Sequence, residues 1–343
     1  MKGVAFLGDR RVGLIEVNDP VPGMGEVVVE IKASGMCGSD LHPYRAPYNP
    51  TLPSEKRYIG GHEPCGIVAA VGAGVPTNVA RIGDRVMVHH YHGCSVCPNC
   101  RKGWPQLCAP PTRIVYSSNA HGAHAPYMRV PASTLVRLHE GLGYAAGAAI
   151  ACGTGTAWGA LQRLQMGGDE TIAVYGQGPV GLSVTMLAAA RGARVIAVDI
   201  DDQRLELAKS FGADAVLNGS KVDSTTAIKE LTGGHGAEMA VETSGSTKAA
   251  MEALAAVTTW GKVCYVGLGS QISFDLKSNL DRQLTLLTSY SMSIVGQMEC
   301  AEFIAQRGLN VDRLFTDRWH LDQAEQAYKH FDQQSSGKGV FVF

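Results

Sequence analysis

Four cysteines fall within fifteen residues, Cys94, Cys97, Cys100 and Cys108, in the pattern C-x2-C-x2-C-x7-C. Four thiolates at this spacing can wrap one tetrahedral ion. A closed four-sulfur shell leaves no position for substrate, so zinc held there is structural. The first three cysteines also share the spacing of bacterial ferredoxins. That motif places its fourth cysteine three residues on and follows it with proline, whereas here the gap is seven and Ala109 follows. Zinc is the expectation, with an iron–sulfur cluster as the rival.

A second constellation is Gly176-Gln177-Gly178-Pro179-Val180-Gly181, which fits G-x-G-x-x-G. Glycine-rich turns are common, and the spacing alone is weak. Its context is stronger: an apolar strand precedes it, a helix follows, and Asp199 ends the next strand 23 residues after Gly176. Gly176 then permits the tight turn, Gly178 lets backbone approach a pyrophosphate, and Gly181 lets helix and strand pack closely. The helix N-terminus offers free N–H groups to the phosphates. Asp199 accepts from the adenosine ribose hydroxyls and repels a 2′-phosphate, so NAD is expected rather than NADP, with Arg204 at the same ribose edge. The competing reading is a flavodoxin-like sheet with a plain glycine turn.

Cys37, the pair His62-Glu63, and Cys152 each stand beside glycine. One imidazole and two thiolates leave zinc a fourth position for water or substrate. Sequence separation does not show that they converge. Taken singly, a cysteine is commonly a small buried hydrophobe, and a lone histidine is more often a hydrogen-bonded core residue than a ligand.

The elements that must carry these groups differ along the chain. The first 150 residues read as β-rich, with short strands at Glu26 to Ile31 and Arg85 to Val88 between turn signals, and Gly66 to Gly74 alternating apolar stretches with glycine. From about Gly168 strands alternate with helices: strands at Thr171 to Tyr175, Arg194 to Val198, Ala215 to Leu217, Met239 to Glu242 and Val263 to Val266, with helices at Val180 to Arg191 and Gln203 to Phe211. Such alternation implies a parallel sheet with right-handed crossovers. After about Tyr290 come helical stretches at Gln297 to Gln306 and Leu321 to His330, then a final strand, Gly339 to Phe343.

Composition bounds the function. The 343 residues suggest two domains, divided as 1–152 and 153–290, with a returning segment 291–343. Lys plus Arg number 30 against 31 Asp plus Glu, so no basic surplus favours nucleic acid. A 45% hydrophobic and 18% charged chain builds a substantial core. Two uncharged stretches, Leu142 to Gln162 and Thr171 to Ala190, are long enough to span a bilayer, but their internal glycines, Gln177 and Pro179 read as buried elements of an α/β core. Nine cysteines, with no secretion signal in Met1 to Arg11, point to a reducing, cytoplasmic setting and to metal or catalysis rather than disulfides.

Gly61-His62-Glu63-Pro64-Cys65-Gly66, followed by Gly72 and Val75, resembles the signature of the medium-chain, zinc-dependent alcohol dehydrogenases. Cys37-Gly38-Ser39-Asp40-Leu41-His42 is similar to the segment bearing that family's first zinc ligand and proton relay. The cysteine lobe, the Gly83-Asp84-Arg85-Val86 turn and the nucleotide fingerprint follow in the family's order, and together they cover nearly the whole chain.

The resemblance implies a GroES-like β-rich catalytic domain plus a Rossmann doubly wound parallel-sheet cofactor domain. It implies two zinc ions and NAD. Cys37, His62 and Cys152 would be catalytic zinc ligands, with Glu63 nearby as an occasional fourth, and Ser39 and His42 the relay. Thr156, Val266 and Leu268 join the fingerprint residues as cofactor contacts. Hydride would pass between NAD and a primary or secondary alcohol, polyhydroxylated ones included, or the matching aldehyde or ketone. The alternative is a non-catalytic, crystallin-like NAD-binding protein of the same fold, which should lack one or more of Cys37, Ser39, His62 and Cys152. A homodimer or homotetramer is expected, with Gly267 to Phe274 near a subunit edge, and neither membrane nor nucleic acid as partner.

Four features depart from the family pattern. Cys152 stands where many polyol dehydrogenases have glutamate, and in this the chain resembles the alcohol dehydrogenase branch more closely. The common Gly-Gly-Phe-Ala-Glu-Tyr segment appears as Gly122-Ala123-His124-Ala125-Pro126-Tyr127, putting a histidine at a usually aromatic pocket position. His89, His90, Tyr91 and His92 crowd the approach to the cysteine lobe, so the expectation is either a polar pocket or a solvated histidine-rich loop. Gln297 follows Val295-Gly296 where related enzymes often carry a phosphate-binding arginine.

Overall fold

A computed structural model describes residues 1–53, 56–333 and 337–343. The chain forms two compact units, one built from Met1–Gly155 and Ser293–Phe343, the other from Thr156–Met292. Among the described residues no helix is long and apolar enough to cross a membrane.

The second unit is a six-stranded, wholly parallel sheet. In space the strands run Ala215–Asn218, Arg194–Asp199, Thr171–Tyr175, Ala237–Glu242, Val257–Tyr265 and Thr285–Thr288. This is the 3-2-1-4-5-6 order of a dinucleotide-binding fold, and the order reverses beside Thr171–Tyr175, where such folds bind ligand. Strands covered by helices on both faces read as apolar runs; Ile172, Ala173, Val174 and Tyr175 are all buried. Short polar residues start the helices. Asp201 caps Asp202–Ser210 by accepting from the N–H groups of Gln203 and Arg204, Asp223 caps Ser224–Leu231, and Ser246 caps Thr247–Ala256. The uncharged stretch Thr171 to Ala190 is thus a buried strand and most of the helix Pro179–Arg191.

The first unit centres on the long strand Glu26–Gly35, which pairs with three others. Ala33 to Gly35 pair with the last strand, Lys338–Val342, Val27 to Ser34 with Pro64–Val71, and Glu26 to Glu30 with Tyr127–Pro131. Arg85–Val88, Leu135–Arg137 and Phe315–Trp319 complete the sheet. Val27, Val29, Ile31, Val68, Val86, Val88, Met128 and Val130 pack as one core. Val4, Met36, Leu41, Tyr44, Tyr328 and Phe341 form another, each fully buried side chain of this size contributing about 1.5–3 kcal/mol. This register positions the chemistry. Ser34 pairs with Pro64 antiparallel, which brings Cys37, just past one strand, to the same end as His62, just before the other.

Candidate metal centres and cofactor turn

Cys37 starts a single 3-10 turn, Gly38–Asp40, whose Asp40 carboxylate accepts the Cys37 N–H at 2.9 Å. His62 ends the loop before Pro64–Val71 and presents Nε2 to Ser39 Oγ at 3.1 Å; its Nδ1 lies 3.1 Å from Asp40 Oδ1. Cys152 follows the helix Tyr144–Ile150. The two sulfurs stand 3.9 Å apart, and the ligand atoms of Cys37, His62 and Cys152 all lie within 4.8 Å of one another. Two thiolates on one tetrahedral zinc, each at about 2.3 Å, sit about 3.8 Å apart, so this set fits a zinc ion with three protein ligands. The hydrogen bond from Cys152 and the neighbouring imidazole pull the Cys37 thiol well below its ordinary range despite its burial, as a metal ligand requires.

Ser39 Oγ also donates to Cys37 Sγ at 3.3 Å. His42 lies on the following one-turn helix, Leu41–Arg45, and is exposed. Glu63 stands outside the ligand set. Its Oε1 accepts from Lys338 Nζ at 2.7 Å, and its Oε2 is buried without a hydrogen-bond partner. Here the carboxylate is held by a buried ammonium.

In the lobe, the four sulfurs of Cys94, Cys97, Cys100 and Cys108 also lie within 4.8 Å of one another. Backbone N–H groups aim at them: Cys97 N at Cys94 Sγ (3.3 Å), Cys100 N at Cys97 Sγ (3.5 Å) and Cys94 N at Cys108 Sγ (3.4 Å). Hydrogen bonds to sulfur stabilise the thiolate. The Thr112 hydroxyl, with the Cys94 N–H, brings Cys108 down to about 6. Such spacing and donor pattern suit a single tetrahedral ion.

The fingerprint turn lies in the second unit. Gly176 takes φ +86°, and a side chain on it would strike Ser244; one on Gly181 would come within 1.7 Å of the Gly176 carbonyl oxygen. Nothing lies within 4 Å of the position a Gly178 Cβ would take, so that face of the turn is clear. Gly178 caps the helix Pro179–Arg191, with Pro179 as its first residue and Val180 next. Asp199 is 7% exposed; its Oδ2 accepts from Gln177 N at 2.5 Å, and its Oδ1 from Ile200 N and Asp201 N at 2.8 and 3.1 Å. Arg204 Nη1 lies 3.9 Å from Oδ1. Gln177 is fully buried, bonded to the Val174 carbonyl and Thr185, and so lies beneath the turn. Val266 donates its N–H to the Glu242 carbonyl, Leu268 is exposed, and Thr156 is half-buried in the helix Gly153–Leu164.

Comparison with known proteins fits this geometry. The profile described as an alcohol dehydrogenase GroES-like domain matches residues 23–140, and that of a zinc-binding dehydrogenase matches residues 179–306. A zinc-type alcohol dehydrogenase-like protein of Escherichia coli, YphC, is 36% identical across 98% of this chain and 97% of its own. The chain belongs to the zinc-type alcohol dehydrogenase family. The sorbitol dehydrogenase of Bacillus subtilis is 34% identical, covering 95% of this chain and 92% of that one. The solved alcohol dehydrogenase of Thermus sp. ATN1 superposes with a TM-score of 0.90 at 30% identity, over 100% of this chain and 99% of that one. The fold is that of the family, a GroES-like domain with a Rossmann domain, and this member of the family is an oxidoreductase.

Within it, the histidine-rich departures lie elsewhere than expected. His124 is fully buried, with Nδ1 on Ser34 Oγ and Nε2 on the Tyr328 hydroxyl, so both ring nitrogens are engaged inside the core rather than lining a pocket. His89 is buried against Gln297, Nδ1 to Oε1 2.9 Å, which gives Gln297 an internal partner. His92 pairs in a two-residue ladder with Ile114. The run is therefore not a solvated loop. Of these histidines His90 reaches the Cys37–His62–Cys152 cluster: its ring centroid is 5.1 Å from that of His62, and Nδ1 donates to the Ala151 carbonyl. Sequence reading passed over Asp40, Lys338 and Tyr328. Asp40 had a signal, being a carboxylate inside the quoted Cys37-to-His42 segment. Lys338 had a weaker one, as an ionisable residue heading an apolar terminal strand, and Tyr328 had none.

Proposed function

We propose that this protein is an NAD-dependent dehydrogenase of alcohols bearing further hydroxyl groups, using one catalytic and one structural zinc per chain. The observation that carries the reading is the three-ligand cluster of Cys37, His62 and Cys152, one ligand short of a tetrahedral shell. When bound, zinc supplies a Lewis acid that lowers an alcohol's pKa, and the nicotinamide supplies the hydride acceptor. Cys37, His62 and Cys152 hold the ion. Asp40 fixes the His62 ring so that Nε2 faces the cluster. Ser39, with its hydroxyl at the cluster, takes the substrate proton, and exposed His42 on the next turn passes it to solvent.

Asp199 supports NAD over NADP, because a 2′-phosphate would meet its carboxylate. The ring of His90 packs against that of His62, a polar neighbour to the ligands that suits alcohols with further hydroxyl groups. The sorbitol dehydrogenase relative points the same way. The cysteine lobe holds the structural ion. A non-catalytic role loses support, since Cys37, Ser39, His62 and Cys152 are all present and gathered. Thiolate clusters of this kind need a reducing compartment, which supports a cytoplasmic setting. A homodimer or homotetramer remains the proposed assembly; Thr285–Thr288 closes one edge of the parallel sheet, with Leu276 and Leu280 exposed in the segment before it.

The test is NADH formation by the zinc-loaded protein on sorbitol, other polyols, and simple primary and secondary alcohols. Turnover on polyols above ethanol is expected, with NADP a poorer acceptor. No NADH from any alcohol would contradict the reading.

A further inference from the structure

A chain of buried polar groups runs away from the catalytic cluster behind His62. Asp40 Oδ1 faces His62 Nδ1 at 3.1 Å, and Oδ2 lies 3.4 Å from the Tyr328 hydroxyl. That hydroxyl is 2.7 Å from His124 Nε2, and His124 Nδ1 is 2.8 Å from Ser34 Oγ. Asp40, Tyr328, His124 and Ser34 are all buried, from 0% to 2% exposed. They come from four places in the sequence: the turn after Cys37, the helix Ala324–Asp332, the loop before Tyr127–Pro131, and the strand Glu26–Gly35.

Donor and acceptor chemistry gives this chain one direction. A histidine that offers a metal the lone pair of Nε2 carries its proton on Nδ1 and donates it to Asp40. An ionised carboxylate only accepts, so the Tyr328 O–H donates to Asp40. The phenol oxygen then accepts from His124 Nε2–H. His124 Nδ1 is left to accept from the Ser34 hydroxyl, and every joint is satisfied.

The backbone reinforces the arrangement. Gly122, Ala123 and His124 donate their N–H groups to the carbonyls of Ile59, Gly61 and Gly60 at 2.8, 2.9 and 2.9 Å. Gly61 takes φ +81°, and a side chain there would come within 2.3 Å of His124 Nδ1. The His124 ring is therefore seated against the loop that delivers His62.

We propose that Tyr328 and His124 are positioning residues for His62, acting through Asp40 to fix its tautomer and ring orientation and so to retain the catalytic metal. The proposal rests on the reading of His62 as a metal ligand. Outer partners of metal-bound histidines typically govern 10–100-fold in metal affinity, and one bond further out the lower end applies.

The test titrates cobalt(II) into the full-length, metal-stripped protein against a competing chelator. The absorption of a site with an imidazole ligand is read separately from that of the four-thiolate lobe. Tyr328→Phe and His124→Phe each keep a ring and should weaken cobalt at the Cys37–His62–Cys152 site about tenfold, leaving the lobe unchanged. Asp40→Asn should weaken it more, and adding Tyr328→Phe to Asp40→Asn should bring no further loss. Wild-type uptake with equal affinity in Tyr328→Phe, or additive losses in the double variant, overturns the proposal alone. A wild-type protein that takes up no cobalt at this site overturns the ligand reading beneath it.

Discussion

Lys338 Nζ lies 2.7 Å from Glu63 Oε1, a contact between residues 275 apart in sequence, with both side chains almost fully buried. The ammonium also donates to the Met36 carbonyl at 2.8 Å. The last strand of the chain is thereby tied both to the approach to Cys37 and to the residue after His62. This pair explains how the returning segment 293–343 matters to the metal loop of its unit.

Removing one partner from a buried ion pair strands a charge. Lys338→Met should therefore cost about 3–5 kcal/mol of stability, whereas replacing both partners by neutral groups costs far less. Chemical denaturation of Lys338→Met and of Glu63→Gln/Lys338→Met measures this. The double variant should recover most of the loss; a double variant as unstable as the single would contradict the pair's role.

The cysteine lobe should behave as a stability element. Because binding energy at a structural metal site is folding energy, Cys97→Ser should lose one zinc per chain and lower the melting temperature. Metal bound by Cys37, His62 and Cys152 should stay. Metal analysis with thermal denaturation checks both, and an equally stable variant would argue against a structural ion.

Asp199 has two tasks, and they separate by ligand. Its carboxylate accepts the N–H groups of Gln177, Ile200 and Asp201, so Asp199→Ala should loosen the fingerprint turn for any dinucleotide. Loss of charged hydrogen bonds to the ribose, worth about 1.5–3 kcal/mol, falls on NAD alone. Calorimetric titration should show NAD weakened by about tenfold to a hundredfold, and NADP much less. Equal weakening would remove Asp199 from ribose recognition.

Burial holds the imidazole of His89 down at about 4, against about 6.5 in an unfolded chain. Between those values the unfolded chain binds the extra proton, so stability falls as pH drops from about 6.5 towards 4. At pH 5 the loss is about 2 kcal/mol from this group. Urea denaturation at pH 7.5 and pH 5.0 should show His89→Gln losing about that much less than wild type on acidification. Parallel losses would mean that His89 is not held neutral by the fold.

The cofactor unit was legible because its signals are local. Thr171–Tyr175 is a β-branched run ending at a glycine turn, and the structure begins and ends that strand on the same residues. The spatial order of the strands is set by pairing between distant segments, which no local window contains. The hairpin Lys2–Gly8 with Arg11–Glu16 escaped for a related reason: Gly3, Val4 and Ala5 are all buried, so the first strand does not alternate. The histidines misled most. His124 and His89 are neighbours of Tyr328 and Gln297 only after folding, and a polar residue whose partners come from 204 and 208 positions away looks unpaired in sequence. Cys37, His62 and Cys152 were readable as candidate ligand types, but their convergence depends on the Ser34–Pro64 register and on the helix that ends before Cys152.

The most direct test of the central claim is zinc per chain in wild type and Cys152→Ser, with NADH formation on polyols measured in the same preparations. Wild type should hold two zincs and turn over; a folded Cys152→Ser that still binds NAD should hold one zinc and show no turnover. Equal zinc and equal turnover in both proteins would contradict it, and Cys152 would then have no part in the chemistry.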